Sequence, residues 1–122
     1  MKLTARDKIV ERAAPFLQQG EQPQAAFAAM TVSPLKVALI GFILASRKRP
    51  YRAILATDRR ILVLEATMGM RKITGLLREL PRATRIGPAK GLHYKTDVLG
   101  ERMWIPKVEQ RQVAEADAAI GA

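Results

Sequence analysis

The chain has 122 residues, of which 48% are hydrophobic, and this is enough for one domain with its own core. It contains no cysteine, which excludes disulfides, thiolate metal sites and cysteine nucleophiles. The formal net charge is +10, so the expected partners are anionic: nucleic acid, a membrane surface or an acidic protein.

The first predicted element is a helix over residues 3–19. Thr4 is a candidate N-cap with Asp7 three residues later, which is a variant of the capping box. Pro15 lacks a backbone donor and should kink or fray the last turn, and Gly20 is a suitable stop. The stretch is charged throughout and lacks the apolar core of a secretory signal, so we expect a cytoplasmic location.

The next stretch changes character at Ser33. The run 24–32 is predicted to be a strand, because its flanking breakers outweigh the helix preference of its alanines. Ser33 and Pro34 then resemble a helix start, with a cap followed by proline at the first helical position. This second helix is almost entirely apolar and is predicted to end near Ser46, so it covers residues 34–46.

The apolar stretch runs directly into a group of cations, Arg47, Lys48, Arg49 and Arg52. A helix that spans a membrane needs about 20 apolar residues. This one is shorter and contains Lys36, which is costly in hydrocarbon, so a spanning helix is disfavoured. Two interpretations remain: a helix buried under the sheet, or a helix that dips into one lipid leaflet.

The clearest β signal lies at residues 51–66. Two short apolar runs, 53–56 and 61–64, are separated by the four residues 57–60. Because Asp58 can hydrogen-bond its own backbone in a turn, the pattern predicts a β-hairpin. Apolar residues occupy both faces of the second run, so the hairpin should be central and largely buried.

Shorter runs bounded by turn residues follow, at 73–80, 84–86, 92–98 and 102–105. Turn signals at this spacing predict a meander of antiparallel strands, about seven with the earlier ones. Residues 107–120 then have the periodicity of an amphipathic helix. We expect that helix to cover the open end of the strands.

Three stretches resemble bacterial pleckstrin-homology-like (PH-like) domains. ATDRRILVLEA resembles the hairpin of their second and third strands, and LLRELPRATRIG resembles the strand that follows. RMWIPKVEQRQVAEADAAI resembles their last strand running into the C-terminal helix, and the order of elements matches from residue 24 to 119. The resemblance implies an α+β, mainly β fold: a bent antiparallel barrel of about seven strands capped by a C-terminal helix.

The resemblance sets the expected domain organisation. Residues 1–122 form one domain, with the barrel and its C-terminal helix over 24–120. The N-terminal helix and the apolar insert at 34–46 depart from the family pattern. Many bacterial members have no assigned activity, and some self-assemble into rings, so the resemblance implies a binding or scaffolding module.

The sequence offers little to catalysis. His93 is the only histidine, and no partner is spaced to form a triad or a metal site with it. Glu115 and Asp117 lie two positions apart on the last predicted helix and so point to different faces. Trp104 and Tyr94 are expected to pack on a strand face. We therefore expect no enzymatic activity, no metal and no cofactor.

The stretch that joins apolar and basic residues carries the functional prediction, which is peripheral association with anionic membrane lipid or a partner protein. Either signal alone is too weak for stable anchoring, and the two together suffice. The predicted lipid-phosphate site consists of Arg47, Lys48, Arg49 and Arg52, and the predicted apolar membrane or partner surface consists of Leu39, Phe42 and Ile43.

Other interpretations stay open. A second copy of the chain could cover the apolar stretch, which would make a homo-oligomer, or the cations could simply be solvated. The charge also suffices for non-specific nucleic-acid binding. Aromatic residues are only 5% of the chain, however, and no helix-turn-helix, zinc-finger or RNP-like pattern is present, so nucleic acid ranks below the inner face of a membrane.

Overall fold

A computed structural model describes residues 3–33 and 50–121. Helix α1 spans Ala5–Arg12 and helix α2 spans Gln110–Ala118. Short 3-10 turns lie at Ala14–Phe16, Met68–Met70 and Lys107–Glu109. The strands are β1 (Pro23–Met30), β2 (Tyr51–Thr57), β3 (Arg60–Ala66), β4 (Ile73–Pro81), β5 (His93–Thr96) and β6 (Met103–Pro106).

These six strands form one antiparallel sheet in the order β4-β3-β2-β1-β6-β5, so the fold is α+β and mainly β. The prediction of a strand at 84–86 is wrong, which lowers the expected seven strands to six in the described part of the chain. The carboxylate of Asp117 accepts the N–H groups of Ile86 and Gly87, both at 2.8 Å. That backbone therefore pairs with a helix side chain and not with a strand.

The structure confirms the predicted central hairpin, both in its place in the sheet and in which side chains point to each face. β2 pairs with β3 from Tyr51↔Ala66 to Ala56↔Ile61, and β1 pairs with the other edge of β2. Along β3, Ile61 and Val63 point into one core and the alternate residues point into another. Both faces of the hairpin are therefore buried, as the apolar run predicts.

The two cores lie on opposite faces of the sheet. One core packs β1, β2, β3 and β6 against α2, with Phe27 and Met103 among its largest buried side chains. The other packs the reverse side of β1, β2 and β3 against α1 through Ile9 and Ala13. Helix α1 thus packs on the second face of the sheet, so the hairpin is buried between α1 and the core on the other face.

Helix α1 begins as its sequence predicts and ends earlier. Thr4 accepts from the Asp7 backbone N–H and Asp7 accepts from the Thr4 backbone N–H, which completes the capping box. The α-helix stops at Arg12, well short of the predicted end at residue 19. Pro15 lies inside the 3-10 turn that follows, because proline cannot donate the bond that would continue the α-helix.

Helix α2 covers the open edge of β1. β1 pairs with β6 only at Met30↔Trp104, which leaves the N–H groups nearer its start without a strand partner. The Gln112 side chain accepts from Ala26 N at 3.1 Å, and Glu109 accepts from Ala28 N at 2.8 Å. Burial raises the pKa of Glu109, although the Ala28 N–H acts in the opposite direction.

The sheet is curved, and an ion pair joins its two edges. Arg78 on β4 donates to Glu101 at 2.7 Å and to the Leu99 carbonyl at 3.3 Å, both in the turn that joins β5 and β6. Gly100 has φ +95°, and a Cβ there would meet the Arg78 side chain at 2.6 Å. In the described part of the chain no backbone ladder joins β4 to β5, so the contact depends on the Arg78 side chain.

Candidate functional site

Three connections leave the sheet at the same end, which we call the loop end. Strands of an antiparallel meander return at alternate ends. The connections at 31–50, 67–72 and 97–102 follow β1, β3 and β5, and the register places their flanking residues side by side. The chain before β3 and after β4 turns at the opposite end, which we call the turn end.

Most of the predicted site lies outside the described residues. This holds for Arg47, Lys48 and Arg49, and also for the apolar surface of Leu39, Phe42 and Ile43. The points where this segment leaves and returns are fixed. Thr31 N donates to the Pro50 carbonyl at 2.8 Å, and the Thr31 hydroxyl donates to the same oxygen at 3.3 Å. Thr31 and Pro50, which are described residues on either side of that segment, therefore meet at the loop end.

Arg52 is the one predicted phosphate ligand that the structure places. Its Nε donates to Glu101 at 3.1 Å, and its side chain is 11% exposed. Arg78 shares the same carboxylate. Burial acts to raise the pKa of Glu101, but the hydrogen bonds from Arg52 and Arg78 outweigh it and hold that pKa below its usual value. Arg52 is thus mainly a structural cation that ties the central strand β2 to the turn between β5 and β6.

Two other cations of the loop end are free to meet an anion. Arg71 and Lys72 lie between β3 and β4, and both are exposed. Within the described ranges neither has an ion pair or a side-chain hydrogen bond. Met68 beside them is 45% exposed, and Val98 in the next connection is 46% exposed. This group combines unpaired positive charge with exposed apolar surface.

Sequence reasoning missed this group, although a signal for it exists. Residues 68–72 read MGMRK, which repeats on a smaller scale the apolar-then-basic order of residues 34–52. A turn of five residues is too short for a helical period, so hydrophobic periodicity does not reveal it. The sheet register is what brings the two stretches to the same end.

A shallow apolar groove of about 290 Å³ opens beside this surface. Two side chains of α1 fix its wall to the β3–β4 connection: Lys8 Nζ donates to the Gly69 carbonyl at 3.3 Å, and Arg12 donates to the Met70 carbonyl at 3.0 Å. The groove adds apolar surface close to the start and finish of the 34–49 segment. It is lined by Ala5, Lys8, Ala28, Ala29, Met30, Tyr51, Gly69, Met70 and Pro106.

Beside the β2–β3 turn, at the turn end, Arg59 and Arg60 have structural partners. Arg60 pairs with the buried carboxylate of Glu21 at 2.9 Å and also with Glu79. Thr57 donates its hydroxyl to Glu21 at 2.6 Å. The hydrogen bond from Arg60 is the main reason that the pKa of Glu21 falls from 4.5 to about 2, against the opposing effect of burial.

The rest of the same turn ties the N-terminal segment to the hairpin. Asp58 N donates to the Gln22 carbonyl at 3.0 Å, and the Asp58 carboxylate accepts from Gln22 N at 2.9 Å. Arg59 donates to the Gln18 side chain at 3.2 Å. The TDRR motif therefore fixes residues 18–22 to the hairpin. Asp58 bonds the backbone of Gln22 and not that of its own turn, where the Thr57 hydroxyl accepts from the N–H groups of Arg59 and Arg60, both at 3.1 Å.

The titratable side chains that could serve catalysis or metal binding are dispersed. His93 is exposed, Glu115 pairs with Arg111, and Asp117 is committed to the 86–87 backbone. Among residues 3–33 and 50–121, no three His, Asp or Glu side chains are close enough to hold a metal ion. Over the same residues, no helix is long and apolar enough to cross a membrane.

Comparison with known proteins gives no assignment. No family model, no curated protein and no solved structure matches this chain. The likeness to PH-like domains therefore stays a prediction from three sequence stretches. Any statement of function has to be drawn from the loop end and the chemistry it presents.

Proposed function

We propose that this chain is a non-catalytic binding module that associates peripherally with anionic membrane lipid through its loop end. One observation carries the proposal: Thr31 and Pro50, which flank residues 34–49, meet at the same sheet end where Arg71 and Lys72 are exposed and have no partner among the described residues. On this proposal the cations of both stretches, each next to apolar residues, face one leaflet.

The expected energies suit a peripheral protein. A cation near an anionic leaflet contributes about 1 kcal/mol. Arg47, Lys48, Arg49, Arg71 and Lys72 would together contribute about 5 kcal/mol, which alone corresponds to a dissociation constant below about 1 mM. Burying two side chains such as Leu39 and Phe42 adds about 3–6 kcal/mol. Neither set alone gives stable anchoring, and both together do.

The proposal includes a fold assignment to the PH-like domains. Three observations support it: the antiparallel meander order, the Arg78–Glu101 contact that curves the sheet on itself, and a single helix after the last strand. The insert at 34–46 and helix α1 are the departures from that pattern. A module of this kind recruits other molecules, which agrees with a surface that offers charge and apolar contact and no catalytic group.

Flotation with lipid vesicles tests the function. We expect the protein to float with vesicles that contain phosphatidylserine and to stay behind with pure phosphatidylcholine. Salt should weaken the binding and leave a resistant remainder that comes from apolar insertion. Failure to float with either vesicle would overturn the proposal, and tight, steeply salt-dependent binding to random duplex DNA in its place would favour nucleic acid.

Variants locate the contact. Replacing Arg71 and Lys72 with Gln should weaken vesicle binding about 30-fold, since two cations are worth about 2 kcal/mol. The matched control replaces Arg85 and Arg111 with Gln, which removes the same charge from exposed sites outside the loop end. Equal loss in both double variants would mean that only net charge matters. Leu39→Ser with Phe42→Ser should remove the salt-resistant remainder.

A further inference from the structure

A second surface combines exposed apolar side chains with unpaired cations, at the start of β5. Leu92 is 74% exposed and Val108 is 84% exposed, the two highest values among the large apolar side chains of the described residues. Lys90 and Lys107 lie next to them in sequence and are also exposed. We call these four residues the β5 patch.

The backbone holds the two halves of the patch together. Lys107 N donates to the Leu92 carbonyl at 2.9 Å, and the register places His93 opposite Pro106. The Gln110 side chain donates to the Gly91 carbonyl at 3.0 Å. The loop before β5 and the turn before α2 are therefore fixed side by side, so the patch is part of the folded domain and not a loose tip.

The patch keeps its positive charge. In the described part of the chain neither Lys90 nor Lys107 has an ion pair or a side-chain hydrogen bond. The nearest acid in sequence, Glu109, turns inward and accepts from Ala28 N. Two exposed aliphatic side chains thus accompany two lysines that no acid among the described residues neutralises.

This patch is separate from the loop end. β5 and β6 turn back at 97–102, which belongs to the loop end, and the patch lies at the other end of that four-residue hairpin. At about 3.3 Å per residue the separation along the hairpin is about 13 Å. Variants in one region therefore leave the side chains of the other in place.

We infer that the β5 patch is a second contact for an anionic lipid leaflet; this inference rests on the proposed function. Leu92 and Val108 project outward, which suits a fluid bilayer that closes around them, whereas a rigid protein partner would need a matching pocket. Lysines can lay their methylene stems on apolar surface and keep the ammonium at the phosphate level. Nucleic acid would use the lysines and leave the aliphatic side chains without a role.

A single-site label reads this contact directly. Because the chain has no cysteine, Val108→Cys can carry one environment-sensitive fluorophore, with Glu11→Cys on an exposed position of α1 as its control. On vesicles that contain phosphatidylserine we expect a blue shift and quenching by spin-labelled lipid at position 108, and neither at position 11. A label at position 108 that stays in water on bound protein would overturn the inference.

Paired substitutions give the second readout. Lys90→Gln with Lys107→Gln should weaken flotation about 30-fold, and Leu92→Ser with Val108→Ser about tenfold or more. The double replacement of Arg85 and Arg111 is again the control of equal charge. If wild-type protein floats and all these variants float equally well, the β5 patch is not a contact and the proposed function stands. If the wild-type protein itself does not float, both the proposed function and the inference about the β5 patch are wrong.

Discussion

Two basic turns of this small sheet show opposite uses of positive charge. At the turn between β2 and β3, Arg60, the first residue of β3, pairs with the buried carboxylate of Glu21. In the connection between β3 and β4, Arg71 and Lys72 meet no acid among the described residues and stay exposed. The two turns differ in whether a carboxylate is near. A cation that pairs with a buried carboxylate stabilises the fold, and a cation without such a partner can bind a ligand.

The same distinction divides the basic stretch that the sequence puts forward. Arg52 closes the run of cations in the sequence, yet Glu101 holds it in the same way that Glu21 holds Arg60. Clustering along the chain therefore does not identify a binding surface. The distribution of acids across the folded sheet does, and the predictions below change one partner at a time.

The largest expected effect comes from removing the acid of the turn end. Glu21→Gln leaves Arg60 mostly buried with only the exposed Glu79 as its counter-charge. Breaking a buried pair in this way costs about 3–5 kcal/mol. Chemical denaturation should show a loss of that size, while Arg71→Gln with Lys72→Gln should change the free energy of unfolding by less than about 0.5 kcal/mol. Similar losses of stability in both variants would contradict the distinction between structural cations at the turn end and free cations at the loop end.

Lowering the pH should reduce the free energy of unfolding as Glu21 becomes protonated. The pKa of Glu21 is about 2 in the fold against 4.5 in the unfolded chain, so its contribution is fully present above pH 4.5 and is lost as pH falls towards 2. The shift corresponds to about 3 kcal/mol. The pH dependence of stability in wild type minus that in Glu21→Gln should show this loss. A flat difference would mean that Glu21 is not the titrating group.

The loop-end pair should matter less. Glu101 forms ion pairs with Arg52 and Arg78, but its side chain is 25% exposed, so water reaches the site. Replacing it with Gln should cost about 1–3 kcal/mol, which is the usual penalty for leaving partly buried partners unpaired. Thermal unfolding measures this, with Asp97→Asn, which breaks an exposed pair with Arg102, as the control. A neutral Glu101 variant would show that the sheet edges do not depend on this contact.

The smallest effect has the opposite sign. Burial raises the pKa of Glu109 in the fold, so its charged form costs stability, and that cost appears as pH rises through and above the usual range of a carboxyl group. Glu109→Gln can still accept the Ala28 N–H. We expect the variant to gain up to about 1 kcal/mol at neutral pH and nothing in acid. A loss at neutral pH would mean that the charged acceptor outweighs its burial.

Local signals predicted much of the fold. The capping box at Thr4, the hairpin at 51–66 and the closing helix each depend on residues a few positions apart, and each is present. The strand expected at 84–86 failed because its N–H groups bind Asp117, about 30 positions away. Nothing in the local pattern of a short apolar run contains that information.

The candidate site was harder to predict, for the same reason. Whether an arginine is free depends on an acid that is remote in sequence: Glu21 lies 39 positions from Arg60, and Glu101 lies 49 positions from Arg52. The sequence marked residues 34–52 as basic and apolar, but the sheet register was needed to add residues 68–72 to the same end. Pairing and register are properties of the folded chain.

The most direct test of the account compares the depth of the two turns on a membrane. One fluorophore is placed at Met68→Cys in the β3–β4 connection, and in a second protein at Arg59→Cys in the β2–β3 turn; both sites are exposed. On phosphatidylserine vesicles that carry spin-labelled lipid, we expect strong quenching at position 68 and none at position 59. Quenching at position 59 alone, or equal quenching at both positions, would contradict the assignment of the loop end as the membrane contact.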